Sequence, residues 1–160
     1  MLPTQHSTHI GAEPVASKPV LLIVDDDADD RKMLIDAALQ ANKELNIKAF
    51  GNGLELLQYL SDLPADALPQ LLFLDLQMPL WDGIRTLQTL EKNPRYAAIQ
   101  KYMVSLADTE YEVSLSLRCG AKEFIVKPCG ESQRPAFYQH IVDAVRNSMI
   151  GRSADSCIRA

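Results

Sequence analysis

Polar residues that could do chemistry stand directly after short apolar runs of the chain. Asp25-Asp26 and Asp75 are acidic, Ser105 carries a hydroxyl and Lys127 an ammonium. Carboxylates that are crowded together repel one another, and a divalent cation would relieve that repulsion. Mg²⁺ prefers oxygen ligands of this kind. The residue types therefore suit a cation site, provided that the fold brings them together.

The segments that must position these residues alternate between strand and helix patterns. The predicted strands are short and apolar, as is typical of strands buried on both faces, and comprise residues 20–24, 46–50, 71–74, 102–104 and 124–126. Apolar stripes at helical spacing follow them: Leu34, Ala37, Ala38 and Ala41; Leu54, Leu57 and Leu60; Ile84, Leu87 and Leu90; Phe137, Ile141, Ala144 and Val145. Such alternation predicts an α/β fold, an open parallel sheet with helices on both faces. Ligands bind such sheets beyond the carboxyl ends of the strands, where the polar residues would meet.

One segment has a pattern that conflicts with this alternation. Residues 113–117 alternate apolar and polar side chains with period two, which alone indicates a strand. Gly120 follows in the position of a helix C-cap, and the βα alternation requires a helix here. We therefore predict a helix.

Length, charge and cysteine content limit the class of protein. The 160 residues suit one domain, predicted at 19–149, between a flexible arm at 1–18 and a tail at 150–160. The net charge of −5, without a basic cluster, argues against nucleic-acid binding. No apolar run predicts membrane insertion or a signal peptide. Three unpatterned cysteines suit free thiols, and we expect a cytoplasmic protein.

Four motifs together resemble the receiver domain of two-component response regulators. They are LLIVDDD, LLFLDLQMPLWDG, MVSLA and GAKEFIVKP, in the family's order and at the predicted strand ends. The resemblance covers roughly residues 18–149. It implies a five-stranded flavodoxin-like sheet of order 2-1-3-4-5.

The resemblance also implies a role for each polar residue. Asp75 would be the phosphoacceptor, and Mg²⁺ (or Mn²⁺) would be held by Asp25, Asp26, Asp75 and the backbone carbonyl of Gln77. Lys127 would neutralise phosphoryl charge. The remaining acidic residues near the first motif, Asp27, Asp29 and Asp30, are interpreted as a solvated helix start.

Further features of the family concern switching. Ser105 would hydrogen-bond the phosphoryl group, and Phe124 would reorient with it, altering the face of the fourth helix, fifth strand and fifth helix. The bond between Lys127 and Pro128 is expected to be cis. Leu106 stands where the family usually carries a small residue, and is expected to narrow access to the phosphoryl group.

The implied partners are a histidine kinase or a histidine phosphotransfer protein as donor, and a downstream target protein, with a homodimer also plausible. Two other functions stay open at this point. One is a phosphorylation-independent binding module on the same scaffold. The other is an aspartyl-phosphate hydrolase resembling haloacid dehalogenases, which needs an acidic residue where Gln77 stands. Trp81 either lies near the cleft or covers the rim of the core, and Cys129 is an ordinary or a redox-sensitive thiol.

Overall fold

Strands and helices alternate along the chain. The structure is a computed structural model that describes residues 20–106 and 108–155, including the side chains of those up to residue 150. The elements are β1 Val20–Val24, α1 Ala28–Ala41, β2 Asn46–Phe50, α2 Gly53–Asp62, β3 Leu71–Asp75, α3 Gly83–Glu91, β4 Gln100–Ser105, α4 Glu110–Arg118, β5 Glu123–Val126 and α5 Arg134–Asp155. Short 3₁₀ turns occupy Ala65–Ala67, Pro94–Tyr96 and Glu131–Gln133. All neighbouring strands are parallel, in the order β2-β1-β3-β4-β5. The predicted fold is confirmed.

The central strands divide their side chains between two apolar cores. Leu21 and Ile23 of β1 face one core, which α1 and α5 cover, while Leu22 and Val24 face the other, which α2 and α3 cover. This division follows from the period of two along a strand. Both sides are buried, which explains why the strands read as continuous apolar runs.

The register of the sheet fixes which residues meet at its carboxyl edge. Asp75 pairs with Val104, and Ser105 pairs with Val126. Beyond the strand ends, the amide of Leu76 donates to the Val104 carbonyl at 3.3 Å, and the amide of Lys127 donates to the Ser105 carbonyl at 2.8 Å. The backbone therefore ties β3, β4 and β5 together at the point where the polar side chains begin.

Residues 113–117 are helical, as the βα alternation required. Thr109 caps the start of α4 by accepting from the amide of Glu112, and Gly120 follows its end with a φ of +98°. A left-handed residue after a helix is typical of glycine. The period-two pattern was misleading because α4 is mostly exposed, and its buried residue is the polar Ser116, whose hydroxyl donates to the Glu112 carbonyl.

The apolar stripe predicted for α2 was partly wrong. Leu56 and Leu60 are the fully buried leucines of this helix, Leu57 is partly buried, and Leu54 is 56% exposed. The residues that face the core are Gly53, Leu56 and Leu60, spaced three and four apart as on one side of a helix. Four leucines in seven residues left the choice of face ambiguous in the sequence. The stripes predicted for α1, α3 and α5 lie against the cores.

Helix α5 is the longest element and continues to Asp155, so it runs beyond the domain end predicted at residue 149. Pro135 is its second residue, where a missing amide hydrogen costs no helical bond. The predicted arm at 1–18 lies outside the described residues, and the domain limits stay a prediction. Among the described helices, none combines the length and apolar character needed to cross a membrane.

A buried lysine lies at the amino end of the sheet. Lys101, the second residue of β4, is 4% exposed, and its ammonium donates to Glu91 Oε1 at 2.6 Å. Glu91 ends α3 and is 43% exposed. Gly120 lies so close to Glu91 that a Cβ atom there would meet the glutamate Cδ at 2.3 Å.

Candidate functional site

Carboxylates from two strand ends converge at the carboxyl edge of the sheet. Asp25 and Asp26 follow β1 directly, and Asp75 is the last residue of β3. One oxygen from each of the three lies within 4.8 Å of the others. Asp25 and Asp75 are buried, while Asp26 is exposed. The cluster therefore has a closed inner side and an open outer side.

Asp25 is fixed by its surroundings. Its Oδ1 accepts from the amide of Asp27 at 3.0 Å, and its carbonyl accepts from Arg31 at 2.7 Å. Its buried Oδ2 forms an ion pair with the Lys127 ammonium at 2.7 Å. Three clustered carboxylates, two of which pair with the same ammonium, fit a hard divalent cation, which prefers oxygen ligands.

The ammonium of Lys127 reaches into this cluster from the end of β5. It lies 2.7 Å from Asp25 Oδ2, 2.8 Å from Asp30 Oδ2 and 3.0 Å from Asp75 Oδ1. The side chain is 4% exposed. One buried positive charge therefore faces several negative charges, and the site as a whole has a surplus of negative charge.

Burial and charge shift the pKa values of this site. Burial raises the pKa of Asp75 to about 6, and the charge of Asp25 adds to the rise, while the nearby Lys127 ammonium opposes it. Burial also raises the pKa of Asp25, with Lys127 again opposing. Burial alone would lower the pKa of Lys127, but hydrogen bonding to Asp25 and Asp30 raises it above its ordinary value. Lys127 therefore stays charged while Asp75 titrates just below neutrality.

The other residues singled out in the sequence lie around this cluster. Ser105 is buried as the last residue of β4, and Leu106 beside it is 56% exposed. Gln77 is exposed in the loop after β3. Phe124 is half-buried on β5, where it lines a cavity of about 360 Å³ together with Lys127 and residues of α5. The roles proposed for these residues stay predictions.

The loop between β3 and α3 packs tightly against the end of β3. A Cβ atom on Gly83 would lie 2.3 Å from the backbone oxygen of Asp75, so only glycine fits there. Trp81 packs at the starts of α2 and α3, with the Arg85 guanidinium 3.7 Å above its ring and Gly53 against its edge. Both helices begin at the carboxyl edge of the sheet, so these contacts do not separate the two positions predicted for Trp81.

The sequence profile described as "Response regulator receiver domain" matches residues 21–136, more than half of the chain. The chain belongs to this family. Its function is accordingly that of a phosphoacceptor domain in two-component signalling.

The first curated relatives that this receiver domain matches are longer proteins. Protein-glutamate methylesterase/protein-glutamine glutaminase 1 of Syntrophomonas wolfei is 35% identical over 113 residues, which are 69% of this chain and 30% of that protein. The chain spans less than a third of the length of the first curated relatives that it matches.

Solved structures share the fold of this receiver domain. The response regulator domain of Thermotoga maritima CheB superposes with a TM-score of 0.66 at 26% identity, covering 82% of this chain and 96% of that one. The Mn²⁺-bound form of the response regulator Rcp1 superposes with a TM-score of 0.67 at 19% identity, covering 78% and 90%, and shows the fold alone.

Asp30 is a residue of the site that the sequence interpretation missed. It was assigned to a solvated helix start, but its carboxylate binds the Lys127 ammonium at 2.8 Å, and it is 28% exposed. Asp27 and Asp29 are exposed as expected, and Asp27 caps α1 by accepting from the amides of Asp29 and Asp30. No sequence pattern distinguishes Asp30 from Asp29, since both lie in the acidic first turn of α1.

The expectation of a cis bond between Lys127 and Pro128 was wrong, since no cis peptide bond occurs among the described residues. The trans isomer is the one that an X-Pro bond adopts without a specific constraint. Lys127 reaches the carboxylates from this trans backbone.

Proposed function

We propose that this receiver domain accepts a phosphoryl group on Asp75, in a reaction that depends on a divalent cation. The observation that carries the proposal is the position of Asp75, which shares one cluster with Asp25 and Asp26 and lies 3.0 Å from the Lys127 ammonium. No other group of three or more acidic, histidine or cysteine side chains close enough to hold a metal was found in the described residues.

The cation would be Mg²⁺ or Mn²⁺, held by Asp25, Asp26 and Asp75, with the Gln77 carbonyl as a further ligand by resemblance to the family. The surplus of negative charge supports this assignment, because the buried Asp25 and Asp75 carboxylates share the one ammonium of Lys127. So does the Mn²⁺-bound form of the similarly folded Rcp1. When bound, the cation supplies positive charge that offsets the charge of the transferring phosphoryl group.

In the transfer step an Asp75 oxygen attacks phosphorus, and an acyl phosphate bond forms. The bond between phosphorus and the donor's nitrogen or oxygen breaks, and the donor atom keeps the electron pair. Ionised Asp75 is the competent form, and its pKa of about 6 leaves it mostly ionised at neutral pH. Lys127 neutralises phosphoryl charge, and Ser105 donates its hydroxyl to a phosphoryl oxygen.

The consequence of transfer would be a change in the face formed by α4, β5 and α5. Phe124 lines the cavity between β5 and α5 beside Lys127, so a movement at the site could pass through it to the surface. We expect a histidine kinase or phosphotransfer protein as donor, a target protein that reads this face, and a cytoplasmic setting. The same face offers the surface for a homodimer.

The test uses acetyl phosphate and intact-mass spectrometry on the whole chain, with and without Mg²⁺. Wild type should gain one phosphoryl group only with Mg²⁺, and Asp75→Asn should gain none. Asp66→Asn is the matched control, because Asp66 is an exposed aspartate in the turn before β3 and should be phosphorylated like wild type.

An adduct on Asp75→Asn, or an adduct formed equally well without a cation, would contradict the proposal. If wild type gained no adduct from acetyl phosphate or from a phosphorylated donor protein, the phosphorylation-independent binding module would be favoured instead. Continuous turnover of a phosphate ester would favour the hydrolase.

A further inference from the structure

Lys127 has three carboxylate partners, and they differ in what the proposed cation would require of them. Asp25 and Asp75 belong to the cluster that would bind the cation. Asp30 lies outside that cluster and contacts the ammonium from the first turn of α1. A cation that binds Asp25 and Asp75 would compete with Lys127 for two partners and leave the third untouched.

The burial of Lys127 makes the third partner important. With a side chain 4% exposed, the ammonium has little access to water when it gives up an ion pair. A buried charge left without a partner is strongly destabilising. Asp30, which lies beside the cluster, can hold the ammonium in place while Asp25 and Asp75 exchange the ammonium for the cation.

We infer that Asp30 is a positioning residue, which anchors the Lys127 ammonium and so frees the Asp25 and Asp75 oxygens for the divalent cation. This inference rests on the proposed cation site. Asp30 touches neither the cation nor the phosphoryl group in this scheme, and it acts through Lys127. It also keeps the ammonium beside Asp75, where an incoming phosphoryl group needs it.

Asp29 provides a matched control for Asp30. Both aspartates lie in the first turn of α1 and carry the same charge, but the Asp29 carboxylate is exposed, whereas that of Asp30 reaches Lys127. Substituting either by Ala removes one negative charge next to the site. Only the change at Asp30 removes a contact with the ammonium.

The experiment measures binding of Mg²⁺ alone by isothermal titration calorimetry on the full chain. Asp30→Ala should weaken Mg²⁺ binding about ten-fold, whereas Asp29→Ala should weaken it less than about two-fold. Asp30→Glu, which retains a carboxylate on the same turn, should restore most of the affinity.

A double-mutant cycle with Lys127→Met separates an effect through the ammonium from an effect of charge alone. In the Lys127→Met background, Asp30→Ala should weaken Mg²⁺ binding no more than Asp29→Ala does. If Lys127→Met fails to fold, the Mg²⁺ affinities of Asp30→Ala, Asp29→Ala and Asp30→Glu still decide whether Asp30 acts as a positioning residue.

The outcomes are distinguishable. If wild type binds Mg²⁺ and Asp30→Ala behaves like Asp29→Ala, or if the Asp30 effect persists without Lys127, the inference is overturned while the proposed function stands. If wild type does not bind Mg²⁺ at all, both are overturned.

Discussion

Lys101 and Lys127 lie at opposite ends of neighbouring strands and are equally buried, each with 4% of its surface exposed. Lys101, at the start of β4, pairs with Glu91, which is 43% exposed and so partly solvated. Lys127, after the end of β5, contacts three carboxylates, two of which are buried. The first arrangement is a balanced pair, and the second has a surplus of negative charge.

This difference shows that burial of a charged side chain does not by itself mark a functional site. The pair of Lys101 with the partly solvated Glu91 is balanced in charge and offers no surplus charge to a ligand. Around Lys127, burial raises the pKa values of Asp25 and Asp75, and these two buried carboxylates share one ammonium. Unbalanced charge held in place by the fold is what a cation and a phosphoryl group can use.

The strongest test of this comparison is the rate of phosphorylation. Lys127→Met should slow phosphorylation by acetyl phosphate about 100-fold, because a buried positive charge that faces the transferring group is lost. Lys101→Met removes an equally buried lysine and should leave the rate within about two-fold. Intact-mass time courses at saturating Mg²⁺ measure both, and similar losses in the two variants would refute the distinction.

Stability in the absence of cations should separate the same two variants. Lys127→Met leaves Asp25 and Asp75 buried without their positive partner, and should lower the free energy of unfolding by about 3 kcal/mol. Lys101→Met leaves only the half-exposed Glu91 unpaired, and should cost no more than about 1 kcal/mol. Urea denaturation in EDTA gives both values. Equal losses in the two variants, or a larger loss in Lys101→Met, would contradict the prediction.

The surplus charge predicts a dependence on pH. In the folded, metal-free protein, Asp75 has a raised pKa and binds a proton below about pH 6. In the unfolded chain, Asp75 binds a proton only below its ordinary pKa of 3.8. Ionised Asp75 therefore lowers stability above pH 6. Asp75→Asn should raise the free energy of unfolding by about 2 kcal/mol at pH 7.5, and this gain should shrink as the pH falls from 6 toward 4.

The control for this titration is Asp66→Asn, at an exposed site. It should show no comparable gain at pH 7.5. A gain in Asp75→Asn that stayed constant from pH 7.5 to pH 4 would indicate a cause other than ionisation of Asp75.

The smallest expected effect concerns access to the site. Leu106 is 56% exposed directly after Ser105, and a bulky side chain there should hinder the water that hydrolyses the acyl phosphate. Leu106→Ala should dephosphorylate about three-fold faster than wild type, an effect of less than 1 kcal/mol. Leu54→Ala, at an equally exposed leucine on α2, is the control and should leave the rate unchanged. Equal rates for Leu106→Ala and wild type would remove the role of Leu106.

Much of the fold could be predicted because the strands are apolar on both faces and their ends are polar. Val20–Val24 was predicted at its full length, and α4 was recovered from the βα alternation against its own pattern. The buried face of α2 could not be predicted, because Leu54, Leu56 and Leu57 are equally apolar and only packing against the sheet selects between them.

The acidic cluster could be predicted, because the carboxyl ends of parallel strands lie at one edge of the sheet. Asp30 could not be separated from Asp29 in this way. Both look like ordinary residues of an acidic helix start, and only the rotation of α1 over the sheet decides which one reaches Lys127. Contacts that depend on helix rotation are beyond what strand ends can indicate.

The backbone link between β4 and β5 has a consequence for how such a protein can diversify. Ser105 and Lys127 are joined by an amide-to-carbonyl bond at 2.8 Å, so their spacing does not depend on the chain that connects them. Substitutions at the exposed positions of α4 can change the surface of the domain without moving Ser105 relative to Lys127. The identity of the α4 surface and the geometry of the strand ends can therefore vary independently of each other.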